Sequence, residues 1–280
     1  MRILITCIFI LPMIYVIGCH ATPTKKDNRS AAALPVENAL TYDTTQKNIH
    51  ILVALCDNKY QGIVPVPAKI GNGQDPYNNL YWGCGYGVRT YFKKSSDWTF
   101  IKSIKQDGIK MQRLVFKHKQ KNSYLIADAY NGMHIKDCTV DFFKSCSGEL
   151  KDVLDVDGKP IGINGNASLI AYVGHDGLMD FRLNESFQNA DGKKRDAIIL
   201  ACISKKYFAP HLSQTQARPL VWSTGFMSPE AYTLHDALNA YINNHPPEGV
   251  RSAAARAYAK YQKCSEKAAR NLLVTGFQKG

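Results

Sequence analysis

Apolar residues along this chain gather into short runs, each closed off by polar or turn-forming positions. Ile49–Cys56, which leads into Asp57-Asn58, is the first; Ser168–Val173, Asp196–Cys202 and Pro219–Gly225 repeat the pattern. Runs of five or six residues rich in Ile, Val and Leu read as strands covered on both faces, and so as a parallel sheet under helices. Three shorter strands are predicted at 98–104, 111–117 and 123–129, separated by Asp107-Gly108 and Lys119–Asn122. Elsewhere the apolar spacing lengthens to three and four. Leu80, Cys84, Val88 and Tyr91 predict a helix over 79–94, and Ile135, Cys138, Phe142 and Cys146 predict one over 134–150. Ser228-Pro229-Glu230 opens another, with a cap and a first-turn proline, which Pro246-Pro247 stop after Asn243-Asn244. A last helix sets Val250, Ala254, Ala257, Tyr261, Cys264 and Ala268 on one face. The stretch 152–165 reads as turn-rich. Residues 59–76, with Gly71-Asn72-Gly73, read as a long loop of the kind that usually carries function. Strands and helices alternate, so the expected fold class is α/β: a three-layer α/β/α sandwich with a mainly parallel central sheet, one domain over 49–276.

The first residues follow a different plan. Met1-Arg2 gives a short positive start, and an apolar run from Ile3 ends in Val16-Ile17-Gly18-Cys19. This resembles a bacterial lipoprotein signal peptide over 1–18, with a small residue before the cut and Cys19 as the lipidated residue. Pro12 and the lack of a stop-transfer flank argue against a spanning helix, although a retained anchor is the other reading. The resemblance implies a mature chain tethered by lipid to the cell envelope, most simply the outer membrane, facing periplasm or surface. Residues 19–48 then read as a polar linker, with a docked helix around Ala31 to Leu40 as the alternative.

Charge changes the picture little. The 280 residues carry a formal +12, but Lys and Arg are scattered and no recognition motif accompanies them, so nucleic acid is not an expected partner. The hydrophobic share of 45% suits an ordinary globular core. In an oxidising compartment Cys56, Cys84, Cys138, Cys146, Cys202 and Cys264 could pair, yet Cys56 sits in an apolar strand. Cys138 and Cys146 share one helix at a separation of about 12 Å, too far for a mutual bridge. There is no CxxC pair and no zinc-finger spacing, so no metal is expected. Gly71-Asn72-Gly73 lacks the Lys-Ser/Thr of a phosphate loop, and no cofactor is expected.

Chemistry concentrates at two strand ends. One apolar run stops at Gly174-His175-Asp176-Gly177, the next at Ala201-Cys202. Parallel sheets collect ligands at the carboxyl ends of their strands. Neighbouring strands would bring His175 and Cys202 to one edge, where an imidazole can turn a thiol into a nucleophile. Backbone N–H groups near Gly177 and Cys202 would stabilise an oxyanion, and Asp176 reads as the cap of the turn or as an orienting group for His175. Asp57 and Asn58, ending the first strand, could face the same pocket.

Successive apolar strands that end in Gly174-His175-Asp176-Gly177 and in Ala201-Cys202 resemble the caspase, legumain, gingipain and separase group of cysteine peptidases, in which a His-Gly and an Ala-Cys stand at these places; here Asp176 is inserted before the glycine. The resemblance covers Ile49 to Phe226 in topology and about ten residues in motif. It implies a peptide or protein substrate, a His175/Cys202 dyad and a substrate pocket lined by Trp222, Ser223, Thr224 and Gly225. The 27-residue spacing from His175 to Cys202 leaves room for a short crossover helix within Leu183–Lys194. The function expected is thus a membrane-tethered cysteine hydrolase of the bacterial envelope. The alternative is a non-catalytic envelope lipoprotein that binds a peptide, glycan or protein partner through the loop over 60–86.

Overall fold

The run Ile49–Ala54 forms strand β1 with every residue buried, the outcome expected of an uninterrupted apolar segment. The structure is a computed structural model that describes residues 41–278. The expected signal peptide, Cys19 with its expected lipidation, and most of the expected 19–48 linker lie outside them. Beyond β1, helix α1 spans Val88–Lys93, and the strands Trp98–Lys105 (β2), Lys110–His118 (β3) and Tyr124–Tyr130 (β4) follow as a meander. Helix α2, Ile135–Ser147, leads into a hairpin of Lys151–Val156 (β5) and Lys159–Asn164 (β6). Leu169–Val173 (β7), Asp196–Leu200 (β8), helix Ser204–Thr215 (α3) and Arg218–Ser223 (β9) come next. Helices Ala231–Ile242 (α4), Pro247–Gln262 (α5) and Glu266–Leu272 (α6) precede a two-residue strand, Leu273–Val274 (β10).

Eight strands form one sheet in the order β10-β9-β8-β7-β1-β4-β3-β2. Its centre, from β9 to β4, is parallel, while β3, β2 and β10 run antiparallel at the two margins. The period-two alternation of strand side chains divides β1 between two cores. Ile49, Ile51 and Val53 pack with Val88 and Phe92 of α1, Leu234 and Leu238 of α4 and Val250 of α5. Leu52 and Ala54 pack on the opposite face with Phe142 of α2 and Phe208 and Leu212 of α3. The fold is therefore α/β, with a large, mostly parallel sheet between helices.

Five local expectations need correction. The last helix breaks at Lys263, which takes φ 56°, and a new one starts from Ser265, so Cys264 and Ala268 are exposed and leave the face that carries Val250, Ala254 and Ala257. The helix read over 79–94 is reduced to α1, because the buried Asn79 takes its segment for another purpose. Its amide accepts from Cys56 N–H at 3.0 Å and donates to Cys56 C=O at 2.8 Å, while its own carbonyl collects three successive N–H groups in a tight turn. The turn-rich 152–165 is the β5–β6 hairpin, closed by Asp157-Gly158, both at positive φ (54° and 81°), as a two-residue turn requires. The Leu183–Lys194 crossover holds no helix. Helix α4 starts at Ala231 rather than at Ser228, since Ala231 N–H donates to Tyr86 C=O at 2.8 Å and Glu230 before it is extended.

One buried charge cluster ties the sheet together. Asp128 of β4 receives both Nε and Nη2 of Arg113 from β3, at 2.7 and 2.8 Å, and faces His50 Nε2 of β1 at 3.0 Å. His50 Nδ1 accepts Asn164 N–H at 3.0 Å, which fixes the proton on Nε2 and pins the hairpin to β1. Every member is bonded, so the cluster reads as structural.

Candidate active site

Strands β7 and β8 are parallel neighbours in which Val173 pairs with Leu200. His175 and Cys202 each stand two residues beyond that pair, at the carboxyl edge. Gly174 lets the chain leave the sheet there. Its φ is 150°, and a Cβ would sit 2.7 Å from Ala54 C=O at the end of β1.

Past Gly174, His175 is 7% exposed, and its carbonyl is held by the Tyr172 hydroxyl at 2.8 Å. Its Nε2 lies 2.7 Å from Asp180 Oδ2. Asp180 is delivered by a single 3₁₀ turn, Gly177–Met179, whose first N–H groups are capped by Asp176 Oδ1 through Leu178 N–H at 3.0 Å. The same Asp180 oxygen accepts Gly62 N–H at 2.8 Å from the loop after β1. An imidazole that donates Nε2–H to a carboxylate carries its lone pair on Nδ1, and Nδ1 has no partner among the described residues.

Cys202 follows β8 after a single residue, Ala201. The next residue, Ile203, adopts φ 51° before α3 begins, a conformation that a β-branched residue rarely tolerates. Its N–H is held by Gly225 C=O at 2.8 Å. Cys202 Sγ lies 3.4 Å from both the N–H and the C=O of Met227. Burial pushes the thiol above its usual range, the Met227 N–H opposes this, and the Asp176 carboxylate adds to it. The Cys202 N–H has no acceptor among the described residues. Asp176 itself is fully buried, and its second oxygen is unpartnered. Burial drives its carboxyl up to about 7, the Leu178 N–H working against the shift and Asp180 with it.

His175 and Cys202 share the wall of one cavity of about 500 Å³. Gly62, Ile63, Val64, Val66 and Leu80-Tyr81 form one side, and Phe226 to Glu230 form the other. The remaining sequence candidates are placed around this cavity, not on its wall. Asp57 receives Lys59 and Tyr60 N–H on Oδ1, at 2.8 and 3.2 Å, and Gln74 Nε2 on Oδ2 at 2.6 Å. Asn58 binds both backbone groups of Val66, at 3.0 and 2.7 Å. These two residues hold the loop that supplies Gly62–Val66. Trp222 is a core residue whose Nε1 donates to Gly276 C=O at 3.1 Å, and the Ser223 hydroxyl donates to Ala201 C=O at 2.5 Å. Thr224 bonds Asn271 C=O at 3.0 Å, and Gly225 serves Ile203. The wall begins only at Phe226 because strand β9 faces its layer neighbours up to Ser223. Gly177 packs on the Phe181 ring, where a Cβ would fall at 2.6 Å, and is also off the wall. Sequence reasoning missed Asp180 and the 226–230 segment. The carboxylate five residues after His175 was the available signal for the first.

All six described cysteines are free, and no group of three metal-ligating side chains occurs among the described residues. No described helix is long and apolar enough to cross a membrane. Comparison with models of protein families, with curated proteins and with solved structures found no match.

Proposed function

We propose that the chain is a cysteine hydrolase of the caspase-like type, acting on peptide bonds with Cys202 as nucleophile and His175 as general base and acid. The observation that carries this reading is the paired register. Two adjacent parallel strands end with an imidazole and a thiol at equal offset on one cavity wall, the imidazole oriented by Asp180. The strained Ile203 beside the sulfur and the free Cys202 N–H lend further support, since strain and uncommitted donors gather where chemistry occurs.

The steps balance without a cofactor. The Cys202 thiol passes its proton to His175 Nδ1 as sulfur bonds to the carbonyl carbon, and the oxyanion takes the Cys202 N–H. Breakage of the C–N bond releases an amine that receives the His175 proton. Water then adds to the thioester, giving its proton to Nδ1; the C–S bond breaks, a carboxylic acid leaves and the thiol is restored. A thiol pushed up by burial is protonated at rest, so the transfer to His175 must accompany attack. Lipid attachment at Cys19 to the bacterial envelope remains part of the proposal and rests on the signal-peptide resemblance alone.

The test is alkylation of the full chain with iodoacetamide at neutral pH, read by mass at Cys202. We expect labelling to slow at least about tenfold in His175→Ala, in line with general-base assistance. Equal, slow labelling of both proteins would leave the second reading, a binding module in which loop residues 60–86 form one wall of an apolar cavity around an inert thiol. The raised thiol is the observation that favours it.

A further inference from the structure

The chain carries 35 Lys and Arg residues, yet none of them lies on the wall of the cavity that holds His175 and Cys202. An acidic substrate side chain would find no cation there. The one carboxylate on the wall, Glu230, has one of its two oxygens engaged by neutral donors. Its Oε2 accepts the Tyr232 hydroxyl at 2.7 Å and Gln262 Nε2 at 3.2 Å. What the wall offers is apolar: Ile63, Val66 and Leu80 on one side, Met227 and Pro229 on the other. The apolar character continues outside. Val64 is 87% exposed, Phe226 73% and Met179 37%, and all three line the cavity. Large apolar side chains left in water around a concave apolar site mark where a ligand covers them.

We infer that the cavity selects a peptide whose residue next to the cut bond carries an aliphatic or aromatic side chain, with Val64 and Phe226 covering the flanking residues. This rests on the hydrolase reading above. A charged side chain buried against this wall would lose its hydration, whereas every methylene buried there favours binding. Norleucine and arginine have stems of similar length, so the pair separates charge from reach.

The experiment measures kcat/KM of the full chain on fluorogenic peptides that differ only in the residue before the cut bond: norleucine, phenylalanine, arginine, aspartate and asparagine. The expected result is at least a tenfold preference for norleucine or phenylalanine over the other three. Val64→Glu, at a position too exposed to endanger folding, meets only the flanking residues that all five peptides share and is expected to lower all five rates at least threefold while leaving that preference in place. Phe226→Ala should lower all rates alike. Iodoacetamide labelling of Cys202 runs alongside as an independent readout of the dyad and should not change in either variant. Slow, His175-independent labelling overturns the hydrolase reading itself. Rapid labelling with arginine, aspartate or asparagine cleaved best, or with no peptide cleaved, overturns the selectivity alone.

Discussion

Two carboxylates within five residues of His175 have opposite surroundings. Asp180 is partly exposed and accepts from both His175 and Gly62, whereas Asp176 is sealed in with one oxygen unpartnered. Asp180 acts as a positioning residue. Asp180→Asn is expected to slow Cys202 alkylation roughly tenfold and to distort its pH profile, because an amide no longer dictates which imidazole nitrogen bears the proton. Asp176 has a different consequence. Its carboxyl titrates near 7 in the folded chain and near 4 when unfolded. Between those values the folded chain keeps a proton that the unfolded chain has lost, so stability falls as pH rises through this window, by at most about 1.4 kcal/mol per pH unit. Asp176→Asn should remove that slope. Thermal denaturation at pH 5 and pH 8 is then expected to bring wild type down relative to the variant further at pH 8 than at pH 5. The ionised form also opposes the Cys202 thiolate, so the variant should label faster at pH 8. His175 and Cys202 were legible as candidates because each closes an apolar run. Asp180 was not, since its role depends on a turn that folds it back onto the ring. Nor could Asp57 or Asn58 be read correctly, because their hydrogen bonds reach into a loop whose path the sequence does not disclose.

At the scale of elements, the exit from β7 governs the site. Gly174→Ala would place a methyl against Ala54 C=O at an unfavourable φ; a loss of about 1–3 kcal/mol is expected by urea denaturation, with slower Cys202 labelling as His175 shifts. The buried strands were visible as apolar runs because both of their faces meet helices. The marginal strands β5 and β6 were hidden by their half-exposed composition, although Asp157-Gly158 announces their turn. Helix α3 escaped notice since Pro210 lies inside it and its apolar stripe is thin. The 79–94 segment misled by periodicity: its apolar spacing is helical, but the amide of Asn79 outcompetes the helix for nearby backbone groups.

The whole molecule is held by contacts far apart in sequence, and the buried Asp128 cluster is the clearest of them. Burial alone would raise the Asp128 carboxyl, but the hydrogen bonds from Arg113 and His50 prevail and hold it well below the usual range; burial likewise depresses His50. Both groups take up protons more readily once unfolded. Stability is therefore expected to fall as pH drops, first below about 6.5 for His50 and then below about 4 for Asp128. Asp128→Ala strands a buried guanidinium and should cost about 3–5 kcal/mol at pH 7, measured by urea denaturation. At the far margin of the sheet, β10 pairs Leu273 with Ser223 and Val274 with Trp222, and Gly276 C=O and the Phe277 ring meet the Trp222 indole. The tail is thus a lid on the indole as well as a selvedge for β9. Trimming the chain before residue 273 would bare both a large aromatic and a row of ladder groups, a sticky seam only a few residues from where Phe226 turns toward the cavity.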